Sequence, residues 1–300
     1  MSAPFLPKHF GSVEDVELIY PPPEEILSYT NFRAYQAWMT KAIMEHDGIY
    51  LGAEMGLGKT GATLKAMVDL LASGEVRQVL VIAPLRVAEE TWPEEIAKWD
   101  FARHLTYRVV TGTDDERRAA MRQKAQVTII NRENLRWLLK GLGLKRWKFD
   151  MIVYDEASRL KRGVLQTNPK PRKDGTVPDP RMTELGCLVR VANKTKKLVE
   201  LSGTPSPNGL IDLFGPIFAI DQGKRLGNSI TAYKRRWFRE DKYTNKVEPF
   251  EHSEKEIMEK ISDVFYSLKE EDYLDLPPLI VRDHEVTLGK KAKEAYRTME

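Results

Sequence analysis

The run Ala53-Glu54-Met55-Gly56-Leu57-Gly58-Lys59-Thr60 combines two glycines, a lysine and a hydroxyl at a spacing that can hold phosphate groups. An apolar run at 49–51 precedes it and a helix-forming stretch at 58–71 follows, so it sits where a strand turns into a helix. Gly56 and Gly58 would let successive backbone N–H groups point at phosphate oxygens, with the positive end of the helix behind them. Lys59 would reach the β- and γ-phosphates of ATP and Thr60 would hold Mg²⁺, while Met55 and Leu57 complete the loop. The pattern departs from the usual phosphate loop at its first glycine, where Ala53 stands.

A second constellation follows 96 residues after Lys59, where the apolar run Met151-Ile152-Val153-Tyr154 ends in Asp155-Glu156. Two adjacent carboxylates at a strand tip repel each other and suit a chemical use. Asp155 is placed to hold the Mg²⁺ shell and Glu156 to orient and deprotonate an attacking water, the two carboxylate roles that phosphoryl transfer to water requires. A plain capping role for Asp155 is the alternative, and the phosphate loop favours the chemical one. Lys59, Asp155 and Glu156 are therefore the candidate catalytic residues.

These residues need a scaffold that presents them together. Apolar runs at 49–51, 79–82, 127–130, 151–153 and 197–201 read as buried parallel strands, and the segments 58–71, 87–99, 114–124 and 132–139 carry helix-period apolar positions. Alternating strand and helix predicts a doubly wound α/β sheet. Ligands of such sheets lie beyond the carboxyl ends of the strands, which selects the loops after Leu51, Ile82, Tyr154 and Leu201. After about Asp221 the strand pattern fades, and 230–239 and 253–268 read as helices outside the sheet. Trp92 and Trp99, seven apart on a predicted helix, read as core. Residues 163–180 hold four prolines and form a long loop of the kind that is functional or disordered. No internal repeat is present.

The chain has 300 residues, 42% hydrophobic and 30% charged, which is the balance of a globular chain with a sizeable core. Its start lacks a secretory pattern and no apolar run is long enough to span a membrane, so a cytoplasmic location is expected. A lone cysteine, Cys187, excludes an internal disulfide framework, and five scattered histidines give no zinc pattern. Metal is expected to arrive with a nucleotide. The net charge of +3 hides an asymmetry: residues 159–181 carry +5 and 224–246 carry +6, leaving −8 on the remainder. Two basic segments on an acidic body fit nucleic-acid binding, and they fit solubility equally well.

Together, residues 53–60, Asp155-Glu156-Ala157-Ser158 and Leu201-Ser202-Gly203-Thr204-Pro205 resemble motifs I, II and III of superfamily 2 helicases, and the Swi/Snf-type branch above all. Phe32-Arg33-Ala34-Tyr35-Gln36 resembles that family's adenine-reading segment, which implies that Arg33 and Gln36 contact the nucleotide. Ala83-Pro84-Leu85 is similar to motif Ia. Residues 268–278 are similar to the segment that leads to the family's second lobe. Ser158 stands where the family often has His.

The resemblance implies a RecA-like P-loop NTPase lobe: an N-terminal arm over 1–30, the ATP-binding lobe over 31–222, a helical extension over 223–275 and the start of a linker over 276–300. It implies ATP and Mg²⁺ as ligands, Ser202, Gly203 and Thr204 as coupling residues, and translocation on double-stranded DNA. Pro84, Arg86, Asn131 and Arg132 would face the phosphodiester track. The basic windows add Lys170, Arg172 and Lys173, and Lys234, Arg235 and Arg236 interleaved with Tyr233, Trp237 and Phe238. That interleaving suits either stacking on bases or a helix that buries its aromatics.

The family's second RecA-like lobe has no counterpart in these 300 residues and is expected in a longer protein or a partner subunit. Its arginine accelerates comparable hydrolases by roughly 10³–10⁵, so the chain by itself is expected to turn over slowly. A strand-separating helicase lobe and a single-lobe ATP-dependent binding module are the alternatives. Short connections resemble compact phage or bacterial members, for which the location would be bacterial or host cytoplasm.

Overall fold

The computed structural model describes residues 26–162, 183–240 and 247–273. The loop 163–180 with Lys170, Arg172 and Lys173, the arm through residue 25 and the segment 276–300 lie outside the described residues. The chain divides into a compact unit through Glu270 and a short second unit, Glu271–Glu300. The first unit contains the sheet, its helices and the phosphate loop.

Seven parallel strands form one sheet: β1 (Gly48–Ala53), β2 (Val79–Ala83), β3 (Tyr107–Val110), β4 (Val127–Asn131), β5 (Met151–Asp155), β6 (Lys197–Ser202) and, late in the chain, β9 (Phe265–Leu268). Their order across the sheet is β3-β4-β2-β5-β6-β1-β9. A short antiparallel pair, β7 (Phe238–Glu240) and β8 (Val247–Pro249), stands apart. The helices are α1 (Ala34–Glu45), α2 (Lys59–Ala72), α3 (Trp92–Lys98), α4 (Asp114–Arg122), α5 (Asn134–Leu142), α6 (Glu184–Ala192), α7 (Phe214–Asp221), α8 (Ile230–Trp237) and α9 (Ser253–Ile261). All five strands read from the sequence are present.

Burial explains why those five were legible. Tyr50, Ile82, Ile152 and Tyr154 on one face and Ile49, Leu51, Val81, Val153 and Val199 on the other are all fully buried, as a parallel sheet covered on both faces requires. Two strands of the sheet were missed, and so was the pair β7 and β8, whose first strand takes the end of the 230–239 segment expected as helix: α8 stops at Trp237. In β3 the run Tyr-Arg-Val-Val places a charged residue, Arg108, in the buried register, which breaks the apolar signal. The expectation that 253–268 is one helix is corrected: α9 stops at Ile261, and Phe265–Leu268 pairs with β1 as a seventh strand. Among the described residues β9 has a partner on one side only, and an edge strand needs less apolar sequence.

Local signals start the helices near the site. Gly58 precedes α2 at φ 71° and ψ 32°, a left-handed conformation that glycine adopts without steric cost. Thr113 and Glu116 exchange side-chain to backbone bonds at the start of α4, a capping box.

Candidate nucleotide and phosphate site

Strand register brings the separated motifs to one end of the sheet. β6 lies between β1 and β5, pairing Gly52 with Ser202 on one side and Leu201 with Asp155 on the other. The tip of β6, Ser202-Gly203-Thr204, thus sits between the phosphate loop and the two carboxylates. The fit is close. A Cβ on Gly203 would stand 3.3 Å from the Met55 side chain and 3.9 Å from Lys59 Nζ, and one on Gly52 would meet Pro205 at 2.6 Å. Ser202 Oγ accepts from Thr204 N–H at 3.1 Å, which folds the tip back on itself.

The loop itself has one anchored and one free apolar residue. Leu57 is fully buried, whereas Met55 is 79% exposed and available to a ligand. Gly56 and Gly58 both have positive φ, at 85° and 71°. Lys59 opens α2 and its ammonium donates to the carbonyls of Ala53 and Glu54. Burial pulls that ammonium below its ordinary pKa, while Asp155, Glu156 and Glu54 draw it back up. Lysine and carboxylates are thus within electrostatic reach of one another.

Asp155 ends β5. Its Oδ2 accepts from the indole N–H of Trp92 at 3.1 Å and its Oδ1 from the backbone N–H of Glu156 at 3.1 Å. Burial raises the Asp155 carboxyl above its ordinary value and the Glu156 charge adds to this, against the Trp92 bond and the Lys59 charge. Glu156 adopts φ 63°, which an L residue with a side chain rarely takes and which costs of order 1–3 kcal/mol. A short 3-10 helix, Ala157–Arg162, follows with Ser158 buried.

Gln36 arrives from the other side. Its Oε1 accepts from Arg33 N–H at 2.8 Å at the start of α1, and its amide nitrogen fills the space where a Cβ on Gly58 would stand. Thr40 Oγ1 fastens α1 to α2 by donating to the Ala62 carbonyl at 3.1 Å. Trp99 packs against Gly61 of α2 and stacks its edge on Phe32 at 4.9 Å between ring centres. Trp92 and Trp99 are both core, as read from the sequence. That Trp92 also holds Asp155 has no sequence signal, because the spacing of a tryptophan does not tell where its N–H points.

Among the described residues no three or more His, Cys, Asp or Glu gather as a metal site. Thr60 and Asp155 supply hard oxygen donors, a set that suits a divalent ion completed by phosphate oxygens.

The candidate nucleic-acid residues divide into two groups. Ala83 pairs with Asn131 at the tips of β2 and β4, and Arg132 N–H donates to the Ala83 carbonyl at 3.1 Å, so Pro84, Arg86, Asn131 and Arg132 share one sheet end. Arg86 stands out from the surface, tethered to Glu90 at 2.7 Å. Asn131 donates to Glu133 at 2.8 Å, and Arg132 keeps Nε and Nη1 buried without a partner. Lys234, Arg235 and Arg236 lie instead on α8, which docks on Leu210 and Phe214. There the helix buries Tyr233 and Trp237, with Phe238 buried just past its end, so the aromatics belong to the core and only the charges face outward. Arg236 covers the Trp237 ring at 4.6 Å.

Similarity to known proteins follows these contours. Residues 33–173 match the family described as SNF2-related domain. Protein p41 of Acyrthosiphon pisum secondary endosymbiont phage 1 is 37% identical over 275 residues, which covers 89% of this chain and 57% of that protein. The human DNA repair and recombination protein RAD54B is 25% identical over 210 residues, 67% of this chain and 20% of its own length. The chain thus spans just over half of one relative and a smaller part of the other. The fold matches the Sulfolobus solfataricus SWI2/SNF2 ATPase core in complex with dsDNA with a TM-score of 0.61 and 24% identity, covering 84% of this chain and 47% of that one. No helix among the described residues is long and apolar enough to cross a membrane.

Proposed function

We propose that this chain, whose residues 33–173 match the SNF2-related domain family and whose fold matches a SWI2/SNF2 ATPase core, is the first RecA-like lobe of such an ATPase, and that it binds and hydrolyses ATP to move along double-stranded DNA. The observation that carries this reading is the position of Gly203, against Met55 and Lys59 on one side and one strand from Asp155 on the other. A change in the phosphate loop is therefore felt at the β6 tip, which makes Ser202, Gly203 and Thr204 the coupling residues.

In this reading Gly56, Gly58 and Lys59 cradle the phosphates, and Arg33 and Gln36 approach the base from α1. Thr60 and Asp155 would hold a magnesium ion arriving with ATP, which would supply neutralisation of phosphate charge. Glu156 orients a water and takes its proton. The left-handed backbone at Glu156 turns the chain directly after Asp155, giving the two neighbouring carboxylates separate tasks. Pro84, Arg86, Asn131 and Arg132 contact the DNA backbone without reading sequence, a contact set whose affinity falls steeply with salt. A second RecA-like lobe, in cis or from a partner, completes the site with an arginine.

The test is ATP binding and turnover by the 300-residue chain with and without duplex DNA. Lys59→Ala is expected to weaken ATP binding and Glu156→Gln to retain it while removing residual turnover. Equal ATP affinity of the Lys59→Ala and unaltered chains would overturn the reading.

A further inference from the structure

A cleft of about 470 Å³ opens at the end of the sheet opposite the phosphate loop. Gln78, Thr106 and Gln126 on its walls immediately precede β2, β3 and β4, whereas the phosphate loop follows the carboxyl end of β1. Arg77, Arg108, Arg122, Lys124 and Lys148 also line it, and among the described residues no acidic one does. The side chains of Arg77, Arg122 and Lys124 make no ion pair with described residues. The nearby carboxylate of Asp150 is engaged elsewhere, accepting from Arg77 N–H at 2.9 Å and lying 3.8 Å from Lys196.

Arg108 gives this cluster a chemical direction. The residue is 3% exposed, with Nε donating to Thr128 Oγ1 at 3.0 Å and Nη1 to the carbonyls of Met121 and Gln123. Nη2 is shielded from water and has no partner, and neither does Oε1 of Gln78 on the same cleft. An unpartnered buried donor on a cation costs its full desolvation, and a second cation nearby adds repulsion. Lys148 registers this, since burial and then the Arg108 charge hold its ammonium below the ordinary value.

We propose that this cleft binds the phosphate group of a small phosphorylated molecule, at a site separate from the nucleotide loop. The volume is that of a small-molecule pocket. Guanidinium groups match phosphate oxygens in charge and geometry. A phosphomonoester offers acceptors to Arg108 Nη2 and, when singly protonated, a hydroxyl donor to Gln78 Oε1. A phosphodiester of duplex DNA has no such donor, which favours the small molecule over nucleic acid.

The experiment titrates inorganic phosphate, and sulfate for comparison, into the full chain carrying Lys59→Ala, so that the phosphate loop does not contribute heat. Phosphate is expected to bind at one site and more tightly than sulfate, which lacks a proton to donate near neutral pH. Arg122→Ser combined with Lys124→Ser, both on exposed residues, is expected to weaken binding by roughly tenfold, the size of one or two charge-assisted contacts. Arg108→Met is expected to abolish it. Should Arg108→Met unfold the chain, the exposed pair still decides. Absent binding, or binding unchanged in the exposed pair, overturns the proposal. So does a short duplex that displaces phosphate and is itself weakened by the exposed pair, since the cleft would then be a nucleic-acid surface.

Discussion

The indole nitrogen of Trp92 donates a hydrogen bond of 3.1 Å to Oδ2 of Asp155, joining the first residue of α3 to the last residue of β5. Trp92 is fully buried, so one side chain both fills the core and fixes the direction of a carboxylate. The bond also favours the charged form of Asp155, against burial and against the neighbouring Glu156.

Trp92→Phe keeps most of the apolar volume and removes the donor. Hydrogen bonds to charged groups contribute about 1.5–3 kcal/mol, so the magnesium-dependent part of ATP affinity is expected to fall roughly tenfold or more, with metal-free binding unchanged. Without the indole, Asp155 keeps its proton to higher pH, so the deficit should deepen as pH falls. Nucleotide titrations with and without Mg²⁺ across a pH series measure both effects. An identical magnesium dependence in the two proteins at every pH would remove Trp92 from the site.

The sequence carried the strands and the phosphate motifs because both rest on local rules. Ile49 to Leu51 and Met151 to Val153 are buried on both faces and read as unbroken apolar runs, and Gly58-Lys59-Thr60 must open a helix to be useful. What stayed hidden depends on tertiary placement. Arg108 lies in a buried strand register because Thr128 and two carbonyls receive its N–H groups, and nothing in Tyr-Arg-Val-Val announces those partners. β9 becomes a strand by adding to β1, after a helix whose pattern masks the boundary. Family resemblance put Gln36 near the nucleotide, but its contact with Gly58 had no signal in the sequence.

That contact separates two glycines of the loop. Gly58→Ala forces a methyl into the Gln36 amide at φ 71°, whereas Gly56→Ala, at φ 85°, meets nothing within 4 Å. Each should cost about 1–2 kcal/mol through the left-handed backbone and lower Tm by a few degrees. Only Gly58→Ala should also displace Gln36 and reduce the preference for ATP over GTP. Thermal unfolding and competitive titration of the two nucleotides check this. Loss of base preference in both variants would assign it to the loop backbone instead.

Glu200 provides a stability prediction with a sign. It pairs in register with Tyr50 and Tyr154, yet the Tyr50 hydroxyl donates to the Pro205 carbonyl at 2.9 Å and that of Tyr154 to Glu184. Both oxygens of the fully buried Glu200 are left without a partner, and burial raises its carboxyl well above the ordinary value. A group that holds its proton more tightly when folded contributes stability fully below its unfolded pKa, near 4.5, and loses it as pH rises toward the folded value. Glu200→Gln has no proton to lose. Its Tm relative to the unaltered chain should therefore climb as pH rises from about 5 to 8. A difference independent of pH would mean that folding does not raise the Glu200 carboxyl.

Glu156 sets stability against catalysis at one position. Its φ of 63° is strained for a residue with a Cβ, and glycine adopts it freely. Glu156→Gly removes both the strain and the carboxylate, whereas Glu156→Gln removes the charge and keeps the strain. Both variants should lose turnover to a similar extent, because neither can take a proton from water. Relief of the left-handed conformation is worth about 1 kcal/mol, reduced by the greater backbone freedom of unfolded glycine, so Glu156→Gly alone should melt higher, by up to a few degrees. The hydrogen bond from the residue 156 N–H to Asp155 survives in both, which keeps the comparison to backbone strain. Melting curves of the three proteins, set beside their ATP turnover, decide it. A Glu156→Gly chain that melts below Glu156→Gln would show that a side chain at this position stabilises the turn through contacts that glutamine keeps, and that these outweigh the strain.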